Sequence, residues 1–290
     1  MNHLRLLLPL GFAACVLPPA ASAADTAGPK LEFPAASPTA TLKQRVGITD
    51  IEISYARPGV KGRKIFGGLV PYGQIWRTGA DTATKVSFST PVKLGGAAIP
   101  AGTYELFTIP GEREWTVIIH QHKGQWGTYA YDQKNDVARV TVAPLTLPSA
   151  VETLAIGLAD LRDTSATLYI AWEKTRVPVK LEVDTVGMLQ PQIAAAMRAE
   201  GKKPYFQAAM FYFHNNLDTK QALAWIDAGL AEQPEAFWML YRKGLILEKL
   251  GDKAGARAAA EQSIALAAKR SGELKAEYTR LNEALIARVK

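Results

Sequence analysis

At 290 residues, with 48% apolar and 21% charged residues, the chain is long enough for one large globular domain or two ordinary ones. Its formal charge of +7 suits acidic surfaces such as anionic lipid or polyanionic glycan, and by itself selects none of them. A single cysteine, Cys15, excludes an internal disulfide and any site built from several thiolates.

Residues 1–23 read as an export signal: Arg5, an apolar run from Leu6 to Leu17, then Ala21-Ser22-Ala23 before the expected cut. The run is too short to span a bilayer, and no other segment is long and apolar enough, so the mature chain is expected to lack a transmembrane helix. The expected address is the periplasm. The alternative is cleavage before Cys15 and a lipid anchor on that residue. Cleavage after Ala23 leaves no cysteine, and with it no thiolate chemistry. Residues 24–38, rich in Ala, Pro and Ser, read as an extended lead-in.

Residues 39–184 are dominated by period-two alternation. Runs such as "TLKQRVG", "DIEISYA", "TKVSFST", "TYELFTIP", "EWTVIIH" and "ARVTVAP" are rich in Val, Ile, Thr and aromatics and are bounded by turn residues. "VETLAIGLAD", "SATLYIAWE" and "VPVKLEV" complete about nine strands, which predicts an antiparallel β-sandwich or barrel, the sandwich being preferred. In "TYELFTI" both the Tyr104/Leu106 face and the Phe107/Ile109 face are apolar, so that strand is expected to be covered on both sides. Gly95-Gly96 between two short apolar runs is a hairpin signal.

From residue 185 to 290 the apolar spacing changes to three and four, and the chain is rich in Ala, Leu and Lys. Asp218 and Asp252 lie 34 residues apart, as do Ala222 and Ala256, a spacing that resembles two tetratricopeptide repeats followed by a capping helix. The fold class is therefore α+β in separate regions. Two repeats are few for a free-standing solenoid, so the helices are expected to lean on the β region through Phe211, Trp225 and Trp238. Lys243 stands where such a repeat usually has a small residue.

The stretch Ala56 to Thr84 concentrates six glycines and five cations. It is too rich in Gly and Pro for a helix, and Arg57, Lys61, Arg63 and Arg77 are candidates to hold an anionic group by guanidinium forks. Tyr72 and Trp76 are candidate stacking rings in the same stretch, and Asp81 a candidate partner for Arg57 or Arg77. A second aromatic segment, "HKGQWGTYAYD", offers Trp126 and Tyr129 as flat faces for sugar rings or peptide side chains. His120 and His122 would share one strand face, a weak two-ligand metal pattern that needs Asp132 or Asp136 as a third ligand. Gly-x-Ser-x-Gly, His-Glu-x-x-His and the Gly-Lys-Ser/Thr ending of a nucleotide loop are all missing, so no cofactor is expected. Nucleic acid is not expected as a partner of an exported chain.

The strings "YARPGVKGRKIFGGLVPYGQIWRTGADTATKVSFSTPVKLGGAAIPAGTYELFTIPGEREWTVIIH", "QWGTYAYDQKNDVARVTV" and "SATLYIAWEKTRVPVKLEV" resemble the bacterial exported family known as domain of unknown function 2911, over about Leu31 to Asp184. Asp81 stands where the family pattern has Asn, and His120 also departs from it. The resemblance implies β-sandwich proteins of the cell envelope, some with a helical repeat tail, and implies no reaction. The expected function is a non-catalytic binding or scaffold module for an anionic or glycan-type envelope ligand. Two alternatives stand beside it: a hydrolase built on a metal or on carboxylates, through Asp81 or the His120/His122 pair, and a protein–protein adaptor working through the helical tail.

Overall fold

A computed structural model describes residue 31 and residues 33–121 and 123–290; the expected export signal with Cys15, most of the lead-in, and His122 lie outside the described residues. Residues 36–290 form one body. It is an α+β protein with two antiparallel sheets, of six and four strands, followed by six helices.

The large sheet has the order β1 (Thr39–Val46), β2 (Thr49–Ala56), β3 (Ala80–Phe88), β6 (Gly102–Ile109), β7 (Trp115–Gln121) and β8 (Asp136–Val142). The small sheet runs β5 (Ala97–Ile99), β4 (Val92–Leu94), β10 (Ser165–Val183) and β9 (Leu145–Ala159). Two short strands thus join the expected set. They are β4 and β5, joined by Gly95-Gly96 as the hairpin signal foretold. A straight β10 would be about 60 Å long at roughly 3.3 Å per residue. Yet the Val183 N–H donates to Thr164 O at 2.9 Å, so the segment doubles back, with Glu173 at φ +52° near its middle. Its two arms are the two separate runs read from the sequence.

Both sheets feed one hydrophobic core. Ile53, Val86, Leu106 and Val117 come from the large sheet, and Leu154, Ile170, Val179 and Leu181 from the small one. A second, smaller cluster lies on the other face of the large sheet: Ala83, Phe107 and Ile118, with Ile75, Ile109 and Tyr131 against them. That is why β6 is buried on both faces, as its two apolar sides require.

The helices are α1 (Thr185–Arg198), α2 (Tyr205–His214), α3 (Thr219–Glu232), α4 (Phe237–Leu250), α5 (Lys253–Ala267) and α6 (Glu273–Arg288). The 34-residue repeat has a physical cause. Asp218 and Asp252 are the N-caps of α3 and α5, each accepting from the backbone N–H three residues on, Gln221 and Gly255. Ala222 and Ala256, one turn further, are fully buried where helices meet. Lys243 is accommodated because its ammonium pairs with Asp227 at 2.8 Å. From α2 to α6 each helix packs on its neighbour in sequence.

Two of the three rings expected to lean on the β region are turned to the tail itself. Trp225 and Trp238 pack into the tail's own core with Ala209 and Ile226, and Phe211 lies beside Tyr212. Among the described residues the join is made by hydrogen bonds at Asp163, whose carbonyl takes the Thr185 hydroxyl and whose carboxylate takes the Asn215 amide. Tyr212, Trp225 and Trp238 are thus packed within the helical tail.

At the far end, Arg288 forks onto Glu248 at 2.7 and 2.9 Å, tying α6 to α4. That hydrogen bond holds the Glu248 carboxyl below the usual carboxylate range. A depressed carboxylate stabilises the fold at neutral pH and loses its contribution as pH falls through its folded pKa. Arg288→Ala should therefore lower the melting temperature at pH 7 by roughly 2 °C, as for a well-formed surface ion pair. The two proteins should converge in acid, where Glu248 is protonated in both. Melting curves across that pH range check it; a deficit that persists unchanged into acid would contradict it.

Candidate functional site

The basic segment from Arg57 onward leaves β2 and crosses to the small sheet. Arg57 Nε donates to Leu154 O at 2.9 Å, the Leu154 N–H donates to Pro58 O, and the Val60 N–H donates to Glu152 O. Gly59 bridges Thr153, and the Glu152 carboxylate accepts the Lys61 N–H at 2.9 Å. The Tyr55 hydroxyl donates to Ile156 O and accepts from Ile156 N–H. Together these bonds cover the free edge of β9 and clasp the two sheets. Exposed sheet edges invite self-association, so covering one is a structural task in its own right. Proline suits it: Pro58 cannot donate, and its carbonyl is the group that is needed.

Several donors of the expected anion cradle are taken up by the protein itself. Arg57 is half-buried and its Nε is spent on a carbonyl 97 residues away in sequence. Arg63 is exposed, but two of its nitrogens donate to Val60 O and Gly59 O of its own turn. Lys61 and Lys64 are exposed at the rim.

Trp76 is also placed inside. It is 7% exposed, lies nearly parallel to Trp172 with centroids 5.9 Å apart, and meets Phe66 and Trp115 edge-on. Its indole N–H donates to Gly79 O. It is a core residue and cannot stack on a guest. Arg77 follows it and is half-buried; its carbonyl accepts from the Thr84 N–H, and its Nε is enclosed without a hydrogen-bond partner among the described residues. Thr78 at φ +53° turns the chain. Its carbonyl accepts the Thr84 hydroxyl, and its own hydroxyl meets that of Thr108. The Trp-Arg-Thr-Gly-Ala string is thus a buried turn. Tyr72 is 38% exposed, its ring lying against the backbone of Gly67, where a Cβ would sit 2.6 Å from the ring. Among the described residues neither Arg57 nor Arg77 forms an ion pair with Asp81, whose side chain is exposed.

The exposed aromatics stand elsewhere. Residues 123–135 lie over the outer face of β6 and β7. The Ala83 N–H donates to Gln125 O and the Gly127 N–H donates to Asp81 O, so the residues on either side of Trp126 are fixed to the start of β3. The Trp126 ring is nonetheless 61% exposed, and Tyr129 is 90% exposed. Tyr129 lies across Gly127, at φ +65°, where an added Cβ would sit 2.9 Å from the ring; only glycine fits both conditions. Leaving such rings in water forgoes roughly 1.5–3 kcal/mol each relative to burial.

Beneath this segment lies a buried polar group that reading the sequence missed. Glu105, 1% exposed, accepts from the Lys123 and Gln125 backbone N–H groups, both at 3.2 Å, and from the Gln125 side-chain amide at 2.6 Å. His120, fully buried, lies 3.5 Å from the Glu105 carboxylate. Its Nδ1 is 2.8 Å from Gln121 O and its Nε2 3.2 Å from Asp132 O. Both carbonyls only accept, so at whichever contact is a hydrogen bond the imidazole nitrogen is the donor. Next to it the Tyr131 hydroxyl donates to Asp136, and Arg139 donates to both. Burial first, and then the Asp136 hydrogen bond, raises the Tyr131 hydroxyl above its ordinary range. The signal in the sequence was a glutamate on a strand face otherwise made of Phe107 and Ile109.

Both ring nitrogens of His120 face backbone carbonyls, and among the described residues no three His, Cys, Asp or Glu side chains are grouped to hold a metal. Glu105 and His120 are sealed from solvent, which removes them as groups that could touch a substrate in this conformation. No helix among the described residues is long and apolar enough to cross a membrane.

Two antiparallel sheets clasped along one edge, an aromatic loop held over one face, and a train of helices define an α+β protein with exposed rings on that loop. Residues 37–181 match the family described as a protein of unknown function (DUF2911), and with half of the chain covered it belongs to that family. No curated protein and no solved structure matches the chain.

Proposed function

We propose that this is an exported, periplasmic, non-catalytic binding module that takes a glycan-type ligand of the cell envelope on the faces of Trp126 and Tyr129. In this reading the two sheets are a β-sandwich that carries the platform, and the helices are a short tetratricopeptide-like tail. One observation carries the proposal: the backbone on both sides of Trp126 is bonded to β3 while its ring stays 61% in solvent. A rigid, exposed ring face is what CH–π contact with a sugar needs, because little entropy is lost on binding. The anion part of the reading keeps only a rim role, since Arg57 and Arg63 spend donors on backbone carbonyls while Lys61 and Lys64 remain exposed.

The test is retention on insoluble peptidoglycan. Trp126→Ala should reduce retention about tenfold or more, the loss expected of an aromatic anchor, and Tyr129→Ala somewhat less. Melting temperatures should stay within about 1 °C of the parent, because exposed rings contribute little to the fold. Unchanged retention in Trp126→Ala would overturn the proposal.

A further inference from the structure

The polar groups under the aromatic segment form one line. Thr41 is paired with Ser54, Ser54 with Lys85, Lys85 with Glu105, Glu105 with His120, and His120 with Asp136, one residue from each of the six strands. Directly paired residues on one sheet face have side chains within contact reach. Along the line Lys85 is followed by the buried Glu105 and His120, and Asp136 has Arg139 bonded to it at 2.7 Å. The line passes from the partly exposed side of the sheet to its covered side.

We infer that Glu105 and His120 are the positioning pair of the Trp126/Tyr129 platform, holding the overlying segment at its two ends. Glu105 takes the start, by accepting from Lys123 N, Gln125 N and Gln125 Nε2. His120 takes the end, through Nε2 and the Asp132 carbonyl. Between these anchors the chain runs ten residues from Lys123 to Asp132, long enough to move if released; Trp126 and Tyr129 sit inside it. A carboxylate suits the first anchor because it accepts from several donors at once, and charged acceptors make the stronger bonds. An imidazole suits the second, since its ring sits between two carbonyls and also faces the carboxylate. The neighbouring rings of Phe107 and Tyr131, 5.4 and 5.2 Å from the imidazole, keep it from turning. Neither residue touches the ligand in this arrangement; both act through the backbone of the platform.

The consequence for binding rests on the platform reading above, whereas the consequence for the segment's mobility does not. The experiment uses the full mature chain, with Glu105→Gln, Glu105→Asp, His120→Asn and Trp126→Ala. Amide hydrogen exchange is followed in residues 123–132 and, as an internal reference, in β1 and β2, and retention on peptidoglycan is read in parallel. Glu105→Gln and His120→Asn should each speed exchange in 123–132 about tenfold or more with β1 and β2 unchanged, and weaken retention. Glu105→Asp, which keeps the charge, should recover part of both. His120→Asn serves if Glu105→Gln does not fold. Exchange that stays slow in 123–132, or that rises equally throughout the chain, overturns the inference. So does a freed segment with full retention when Trp126→Ala abolishes it. A freed segment with full retention in every variant, Trp126→Ala included, instead overturns the platform reading and leaves the positioning pair standing.

Discussion

Trp76→Ala should destabilise the chain by about 4 kcal/mol, the usual cost of removing a large buried aromatic side chain. The indole is enclosed by Phe66, Trp115 and Trp172, three rings drawn from a loop and from both sheets. Its loss leaves a void that those rings cannot close without leaving their rotamers. It also strips Gly79 O of its donor. For a chain of this size that corresponds to a fall in melting temperature of roughly 10 °C. The near-ultraviolet circular dichroism signal, which reports packed aromatic rings, is the appropriate probe. The expectation separates two roles sharply. A ring serving as a ligand surface would be replaceable with little change in stability, and a melting temperature within about 1 °C of the parent would contradict its place in the core.

Arg57→Ala should cost about 2 kcal/mol, because a charged donor is withdrawn from Leu154 O and that carbonyl has no second donor in reach of a methyl group. The residue also stacks its guanidinium 5.9 Å from the Tyr55 ring, beside the hydroxyl that pairs with Ile156. Loosening this clasp uncovers the edge of β9 from Glu152 to Leu154. Free strand edges recruit other edges. The variant should therefore melt roughly 5 °C lower and self-associate as concentration rises, which sedimentation velocity would reveal. Parent-like stability and a monomeric variant, together with lost ligand binding, would return Arg57 to the role of a ligand contact.

The same two residues show what sequence can and cannot reveal here. Local pattern was legible wherever the physics is local. The double apolar alternation of Tyr104 to Ile109 signals a strand covered on both faces, and it is. The Gly95-Gly96 pair signals a hairpin, and the 34-residue spacing of Asp218 and Asp252 marks two N-caps. Trp76 and Trp126, by contrast, carry the same local signals, each an aromatic in a glycine-bounded loop beside a cation. Their fates differ because Trp172, 96 residues downstream, meets one and not the other. Cations in a glycine-rich stretch likewise read as a ligand cradle until the carbonyl of Leu154 is known to lie beside Arg57. Glu105 and His120 were hidden for a related reason: their pairing is set by strand register, and the segment they hold returns over the sheet only after β7. Trp225, one of the rings expected to lean on the sheets, instead meets Tyr212 within the tail, at 4.7 Å between ring centroids.

In the proposed function, recognition resides on the ring platform and not on the basic segment that first draws the eye. Side-by-side retention on insoluble peptidoglycan of two variants, one with Trp126 and Tyr129 both changed to alanine and one with Lys61, Arg63 and Lys64 all changed to alanine, measures this directly. The first should elute with unbound protein while the second is held nearly as well as the parent. The reverse pattern, with the aromatic variant held and the cation variant lost, would contradict it.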